Sequence, residues 1–299
     1  MNRWLAIVNP AAGGGRCGKL APAALQRVRE TGAEVEVVET ARAGGGTPLA
    51  RDGYARGYRH FLAVGGDGTS FEIVNGVFPE SLSGGRVTLG FLPLGTGNSF
   101  LREFTSGGVD YTIGAIGENR QRPCDVIRVR DDRGEIFFIN MLNVGFAADA
   151  GALANRRFKG RGTLSYVLGV FGTLAGLQCL PFPHRLPGEE DWDCRPVLFL
   201  ALANSKHTGG KMLMAPHADP GSGKIEFVRW LPLGRLRALW NFPSLFTGTH
   251  IRHPLAFRAA VERVDFDLDE PVNVIVDGEV MQLKLRYAEV LPSAMDVAV

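Results

Sequence analysis

The sequence has few cysteines, and their positions do not suggest a metal site or a disulfide framework. The four cysteines among the 299 residues stand far apart and form no CxxC pair; they are Cys17, Cys124, Cys179 and Cys194. This spacing argues against zinc and favours a reduced, cytoplasmic setting. We also expect no secretory leader, because the first apolar run, 4–8, ends at Asn9-Pro10 and is too short for one.

The sequence also lacks a large excess of basic over acidic residues, or of acidic over basic ones. The 33 Lys and Arg residues nearly balance the 31 Asp and Glu residues, which leaves a net charge of +2. This balance argues against a general nucleic-acid binder, so any basic binding site must be local. With 45% hydrophobic residues, the chain can bury a substantial core. Its length predicts one large or two medium domains.

Long apolar runs are scarce, and one segment is long enough to span a membrane. Residues 163–183 carry no charge. Small residues recur within this segment at helical spacing, which suits membrane helices and closely packed soluble helices equally. We favour a helix of a soluble protein that lies at an interface. The basic cluster Arg156, Arg157, Lys159 and Arg161 precedes it and indicates either contact with anionic lipid or a solvated loop.

The first part of the chain alternates short apolar runs with helical patterns. Strands are predicted at 5–8, 35–38, 61–64 and 87–92, and helices at 19–30, 48–56, 70–77 and from about 98. Strand–helix alternation implies right-handed crossovers and a parallel sheet with helices on both faces. The first domain is therefore predicted to be a doubly wound α/β domain over residues 1–123.

The pattern changes after residue 123. Short strand-like runs separated by Asp, Gly and Pro predict an antiparallel β-sandwich over residues 124–285. Helices at 164–177 and 233–240 interrupt it. The strand-like runs are 125–130, 135–142, 197–203, 224–230, 261–268, 272–276 and 280–287.

Three glycine loops follow predicted strands of the first domain, at 9–15, 65–69 and 93–98. Ligands of open parallel sheets bind outside the carboxyl ends of the strands, and helix N-termini there attract phosphate. Three loops on one edge could therefore surround a polyphosphate. Asp67 would repel phosphates unless it orients Mg²⁺ or accepts a substrate proton, although it could also cap a helix. The sequence lacks both GxxxxGK[ST] and a GxGxxG at the first crossover, which weighs against P-loop and Rossmann dinucleotide sites.

With these loops, the chain resembles the diacylglycerol kinase catalytic-domain family, which includes soluble bacterial diacylglycerol kinases, sphingosine kinases and ceramide kinases. It is more distantly similar to NAD kinases and phosphofructokinases, which share the GGDG loop. The residues that match the family's nucleotide-binding motifs are Asn9, Pro10, Gly13, Thr40, Gly65, Gly66, Asp67, Gly68, Thr69, Glu72, Gly95, Thr96 and Asn98. In the second half, the matching segments are 143–149, 155–159, 209–212, 215–218 and 276–279.

The resemblance implies that the first domain, completed by residues 286–299, binds ATP and Mg²⁺. The lipid hydroxyl would then lie in a cleft between this domain and the β-sandwich. It also implies a carboxylate that deprotonates the hydroxyl, and the candidates are Asp277, Glu279 and Asp67. The sequence leaves the division of work among them open, and Asp277-Gly278 also suits a hairpin turn.

The chain departs from the family at Phe71, Ser99 and Ser222. Ser222 stands where the family's structural magnesium site has a carboxylate, so no metal ligand is assigned. We expect transfer of the ATP γ-phosphate to a lipid at a membrane surface, most simply diacylglycerol to give phosphatidic acid. Sphingoid bases, ceramide and phosphatidylglycerol stay open, as do an NAD kinase-like enzyme and an inactive nucleotide-binding regulator. A cytoplasmic protein that associates peripherally with the inner membrane surface, and a homodimer, are further expectations.

Overall fold

The computed structural model describes residues 2–146, 148–149, 176, 178–209 and 211–299. The chain divides into two compact units. Unit 1 comprises Met1–Val126 and Ser293–Val299, and unit 2 comprises Ile127–Pro292. The basic cluster at 156–161 and nearly all of the predicted helix at 164–177 lie outside the described residues.

The secondary structure in the described part of the chain comprises seventeen strands, seven α-helices and two 3₁₀ turns. The strands are β1 Arg3–Val8, β2 Glu34–Glu39, β3 His60–Gly65, β4 Thr88–Pro93, β5 Arg122–Asp131, β6 Gly134–Phe138, β7 Met141–Gly145, β8 His184–Arg185, β9 Phe199–Ala203, β10 His207–Thr208, β11 Met212–Leu213, β12 Ile225–Trp230, β13 Ala256–Val261, β14 Arg263–Phe266, β15 Val272–Val276, β16 Glu279–Leu283 and β17 Leu285–Val297. The helices are α1 Arg16–Glu30, α2 Gly46–Ala55, α3 Asp67–Val77, α4 Ser81–Gly84, α5 Gly108–Gly117, α6 Arg235–Asn241 and α7 Ser244–Thr247, with 3₁₀ turns at Leu101–Glu103 and Thr249–Arg252.

Unit 1 is built on a parallel sheet in the order β2-β1-β3-β4, to which the end of β17 adds a further parallel strand. Both faces of this sheet are covered. Trp4, Ala6 and Val8 of β1 belong to a buried cluster with side chains of α1 and α5. On the opposite face, α2 approaches so closely that a Cβ on Gly53 would lie 2.3 Å from Leu5 Cδ2. Helices α1 and α5 cover one face of the sheet and α2 covers the other, so the sheet is doubly wound. The predicted fold is confirmed.

Unit 2 contains a six-stranded sheet in the order β13-β12-β9-β7-β15-β16, and each of its neighbouring pairs is antiparallel. A second set of strands is formed by the first part of β17 with β14 and β8 and by β5 with β6. The predicted antiparallel second half is therefore confirmed. Among the helices that the structure describes, none is both long enough and apolar enough to cross a membrane.

The predicted strands at 261–268 and 280–287 each include residues of two observed strands, and two other predicted elements also differ from the structure. The apolar run at 135–142 is not one strand, because β6 ends at Phe138 and β7 begins at Met141. The helix expected from about residue 98 is replaced by the 3₁₀ turn at Leu101–Glu103, and α5 begins only at Gly108. In both places the backbone N–H groups bond to a distant aspartate instead of continuing the local pattern.

Candidate active site

The loops that follow β1, β2, β3 and β4 meet at the carboxyl edge of the parallel sheet. Backbone hydrogen bonds join them to one another: the Asn9 N–H donates to Val64 O over 3.0 Å and the Thr40 N–H to Val8 O over 2.9 Å. The Gly95 N–H donates to Gly65 O over 2.7 Å. The edge is therefore a continuous backbone surface.

Close packing between loops accounts for glycine at two positions. A Cβ on Gly66 would lie 2.6 Å from Gly97 O, and a Cβ on Gly95 would lie 2.7 Å from Gly66 N. Neither distance is tolerated by a real side chain, and the atoms it would meet belong to backbone that cannot rotate away. These two glycines let the 65–69 and 93–98 loops touch, so the two motifs form a single unit.

We expect Gly95→Ala to lower the free energy of unfolding by about 1–3 kcal/mol, because the added methyl group must push two packed loops apart. Affinity for the ATP that the sequence predicts at this edge should fall with it. Urea denaturation and isothermal titration with ATP would measure the two effects. Gly114→Ala is the matched control, since its Cβ would lie 3.7 Å from Arg120 Nη2, the nearest atom beyond its own helix and chain neighbours. Equal stability of the two variants would contradict the packing argument.

Asp67 joins the 65–69 loop to the residues that follow the 93–98 loop through hydrogen bonds. Its carboxylate accepts the Ser99 N–H at 2.9 Å from each oxygen and the Phe100 N–H at 3.4 Å. Its own N–H donates to Gly97 O over 3.0 Å. Burial raises the pKa of the Asp67 carboxyl, although the hydrogen bonds from Ser99 and Phe100 act in the opposite direction.

The suggestion that Asp67 caps a helix is wrong. Helix α3 begins at Asp67 itself, its N-cap is Gly66, and no side chain caps its first turn. The N–H groups of Asp67 and Thr69 donate to Gly97 O and Gly66 O, so the start of α3 favours an anion mainly through the positive end of the helix dipole.

Thr69 in the first turn of α3 carries a buried hydroxyl that has no hydrogen-bond partner among the described residues. A separate cavity of about 10 Å³, room for about one water molecule, lies at the same loops. Its lining includes Gly65, Gly66, Asp67 and Asn98. Buried polar groups without partners are rare in folded proteins. The Thr69 hydroxyl packs against Gly65, where an added Cβ would lie 2.2 Å from Thr69 Oγ1, and this contact accounts for the glycine at that position.

Glu72 on α3 holds the loop that follows β2. Its carboxylate accepts the Gly44 N–H at 2.8 Å and the Gly46 N–H at 2.6 Å, and the Thr47 hydroxyl donates to its backbone oxygen. These bonds satisfy N–H groups at the start of α2 and fix the loop behind Thr40, whose side chain is buried. Direct contact of Glu72 with a nucleotide stays a prediction.

The remaining predicted nucleotide-site residues lie on the same edge. Pro10 O accepts the Gly18 N–H over 3.1 Å, which ties the first loop to α1, and Gly13 has a φ of 63° that favours glycine. Asn98 donates to Gly95 O over 3.2 Å, and Thr96 is exposed. The structure thus brings together all thirteen residues that the family motifs selected in unit 1.

Asp277 lies in unit 2, in the tight turn between β15 and β16, and is 2% exposed. It has a φ of 47° and Gly278 has a φ of 92°, as in a two-residue hairpin turn. The Asp277 carboxylate accepts the N–H groups of three consecutive residues, 139–141, at 2.9–3.1 Å. The hairpin interpretation of this motif therefore describes its structure, and the carboxylate anchors the turn between β6 and β7.

Glu279 differs from Asp277 in its surroundings. It is the first residue of β16 and is exposed, whereas the Asp277 carboxylate is enclosed by backbone N–H groups. Sequence reasoning missed the polar side chains that support the 139–141 turn. Ser205 donates to Asn140 Oδ1 over 2.5 Å, and Asn204 donates to Ile139 O over 2.8 Å. Asn204 and Ser205 directly follow the apolar run of β9, and this is the sequence signal that could have found them.

The loop at 219–223, aligned with the family's structural magnesium site, is closed by its own hydrogen bonds. The Ser222 hydroxyl donates to Asp219 O over 2.8 Å, and the Gly221 N–H donates to Asp219 Oδ1 over 3.0 Å. Within the described part of the chain, no three His, Cys, Asp or Glu side chains form a cluster that could hold a metal.

Comparisons with known proteins agree with this architecture. Residues 3–129 match the family model of the diacylglycerol kinase catalytic domain, and residues 140–299 match that of the YegS C-terminal NAD kinase beta sandwich-like domain. The chain is 28% identical to a diacylglycerol kinase of Mycobacterium tuberculosis (strain CDC 1551 / Oshkosh), over 98% of this chain and 93% of that protein. It is 26% identical to a diacylglycerol kinase of Bacillus subtilis (strain 168), over 93% and 90%.

A solved structure of a diacylglycerol kinase from Bacillus anthracis str. Sterne has the same fold. It matches with a TM-score of 0.71 at 19% identity and covers 99% of this chain and 96% of that one. Together, the two family models account for nearly the full length. The chain belongs to the diacylglycerol kinase catalytic-domain family of lipid kinases and carries the YegS-type C-terminal domain.

Proposed function

We propose that the protein transfers the γ-phosphate of ATP to the hydroxyl group of a membrane lipid, with diacylglycerol as acceptor and phosphatidic acid as product. The observation that carries this proposal is the edge of unit 1, where the glycine loops meet at the start of α3 and the positive end of the helix dipole favours an anion. Relatives named diacylglycerol kinase support the choice of acceptor.

In this reaction, the lipid oxygen forms a bond to the γ-phosphorus while the bond between that phosphorus and the bridging oxygen of ADP breaks. The hydroxyl proton must pass to a base. Glu279 is the better candidate because it is exposed, whereas the carboxylate of Asp277 already accepts three backbone N–H bonds. The loops of unit 1 would orient the phosphates through their backbone N–H groups.

The residues of unit 1 fit a magnesium ion that arrives with ATP. Asp67 is the carboxylate among the phosphate-binding loops, and its oxygens can accept more bonds than the two N–H groups supply. Phosphate oxygens and water would provide the other ligands, as magnesium usually requires. When bound, the ion neutralises phosphate charge. ATP and a lipid acceptor would meet at the cytoplasmic face of the membrane.

Incubation of the purified protein with γ-labelled ATP and separate lipid acceptors tests the proposal. The panel consists of diacylglycerol, sphingosine, ceramide and phosphatidylglycerol, with NAD as a non-lipid acceptor. We expect labelled phosphatidic acid, and its loss in Glu279→Gln. Label in another lipid of the panel would support lipid kinase activity and identify a different acceptor. Labelled NADP, or ATP binding without any product, would overturn the proposal in favour of an NAD kinase-like enzyme or an inactive regulator.

A further inference from the structure

Large apolar side chains are exposed together on one short part of unit 2. Leu236 is 84% exposed and Trp240 is 86% exposed, and Leu239 and Phe246 are also exposed. These four residues lie within eleven positions, yet they are four of the nine exposed large hydrophobic side chains in the described residues. Isolated exposed leucines are ordinary, but a cluster of this kind marks an interaction surface.

The fold does not require these exposed side chains. Ala238 and Phe242 pack against the buried cluster that contains Trp230 and Leu245, so helix α6 already has a face in the core. Leu236 and Trp240 are four residues apart and share the opposite side of the helix. Helix α6 is therefore apolar on both faces, and its outer face serves something other than folding.

The segment that carries this surface has acidic residues at none of its positions. Between residues 231 and 261 there are four arginines and no aspartate or glutamate. Arg258 pairs with Glu226, whereas Arg235, Arg237 and Arg252 are exposed. Two copies joined through this surface would bring these arginines together with no carboxylate from the segment between them, which disfavours a symmetric dimer.

We propose that the surface formed by Arg235–Asn241 and Phe246, here called the 235–246 surface, seats the protein on an anionic lipid bilayer. Tryptophan and leucine side chains insert at the boundary between headgroups and acyl chains, and arginine side chains bind the lipid phosphates. Affinity for the membrane increases with both contributions. Leu236 and Trp240 are almost fully exposed, so both side chains could insert into the interface of a lipid bilayer. The proposal rests on the lipid kinase function and names where that enzyme would meet its membrane.

Vesicle sedimentation without ATP and without a kinase acceptor lipid tests the surface directly. We expect wild-type protein to bind vesicles of phosphatidylglycerol and phosphatidylcholine more strongly than vesicles of phosphatidylcholine alone. Leu236→Ser with Trp240→Ser should weaken binding to the mixed vesicles at least about tenfold, because two apolar side chains no longer leave water. Leu82→Ser, a 47% exposed leucine of unit 1, is the control and should bind like wild type.

The arginines provide a second, independent variant. Arg235→Gln with Arg237→Gln should weaken binding to the anionic vesicles about 25-fold, since each arginine near such a surface contributes about fivefold. Binding to neutral vesicles should not change. Arg51→Gln with Arg122→Gln replaces exposed arginines of unit 1 and should have little effect. Wild-type protein that ignores anionic vesicles, or both surface variants binding like wild type, would overturn the proposal.

Two further measurements separate the alternatives. Light scattering would measure whether the protein forms a dimer. A dimer that is lost in the Leu236→Ser and Trp240→Ser variant, while vesicle binding stays intact, would overturn the proposal in favour of a second copy of the chain at this surface. Kinase assays with a short-chain diacylglycerol dispersed in water should show unchanged turnover in the surface variants. Vesicle binding without kinase activity in the wild type would refute the proposed function and leave the membrane surface standing.

Discussion

Glu279→Gln is expected to lower the turnover of lipid phosphorylation about 10²–10⁴-fold and to leave thermal stability unchanged. A general base contributes a factor of this size, and glutamine keeps the shape of the side chain but cannot take a proton. Glu279 is exposed at the start of β16, and interactions of exposed charges contribute at most about 1 kcal/mol to stability. Steady-state kinetics together with a thermal melt would measure both quantities.

Asp277→Asn is the matched comparison, and we expect the opposite pattern. Asparagine tolerates the positive φ of 47° at this position, so the substitution tests the carboxylate and not the turn. Asparagine has only one side-chain oxygen, so it cannot accept all three N–H groups as the carboxylate does. Its NH₂ group would face one of the backbone N–H groups of residues 139–141. The free energy of unfolding should fall by about 2–4 kcal/mol.

The two variants together test the division of roles between these carboxylates. An Asp277→Asn protein with wild-type stability and strongly reduced turnover would refute the structural role of Asp277. A Glu279→Gln protein that retains turnover would remove Glu279 as the base. The double variant should combine both defects, because one acts on the fold and the other on the chemistry.

The architecture of the sheets could be predicted from the sequence because its signals are local. Each strand of unit 1 is a short apolar run followed by a glycine turn and a helical pattern, and this order alone implies parallel crossovers. The break between β6 and β7 has no comparable signal. Residues 135–142 are mostly apolar, and the strand ends there because a carboxylate 137 positions away binds the N–H of Asn140.

The candidate site shows the same limit. The glycine motifs at 65–69 and 93–98 can be found by their composition and by their position after strands. Their mutual packing, in which Gly66 and Gly95 leave no room for a Cβ, depends on two loops that meet only in the folded sheet. The role of Asp67 as a link to Ser99 is equally invisible in the sequence, because backbone N–H groups of any residue can serve as the donors.

Asp67→Asn should reduce turnover at least about 100-fold and make the stability of the ligand-free protein less dependent on pH. The loss of turnover follows from removing the one carboxylate that stands among the phosphate loops. The change in pH dependence follows from burial, which raises the pKa of Asp67, whereas asparagine does not titrate.

The sign of the pH dependence distinguishes this explanation from a purely structural one. A carboxyl group whose pKa is raised by folding supports the fold fully below its unfolded pKa of about 3.9 and loses that support as pH rises through the folded pKa. Over that window, stability of the wild type should fall relative to Asp67→Asn by up to about 1.4 kcal/mol per pH unit. Urea denaturation between pH 4 and 8 would measure the difference, with the exposed Asp191→Asn as the control. If Asp67→Asn were instead less stable than wild type by an amount that grows with pH, the ionised carboxylate would be a net support of the loops. Its place among them would then be structural, and the loss of turnover would need another cause.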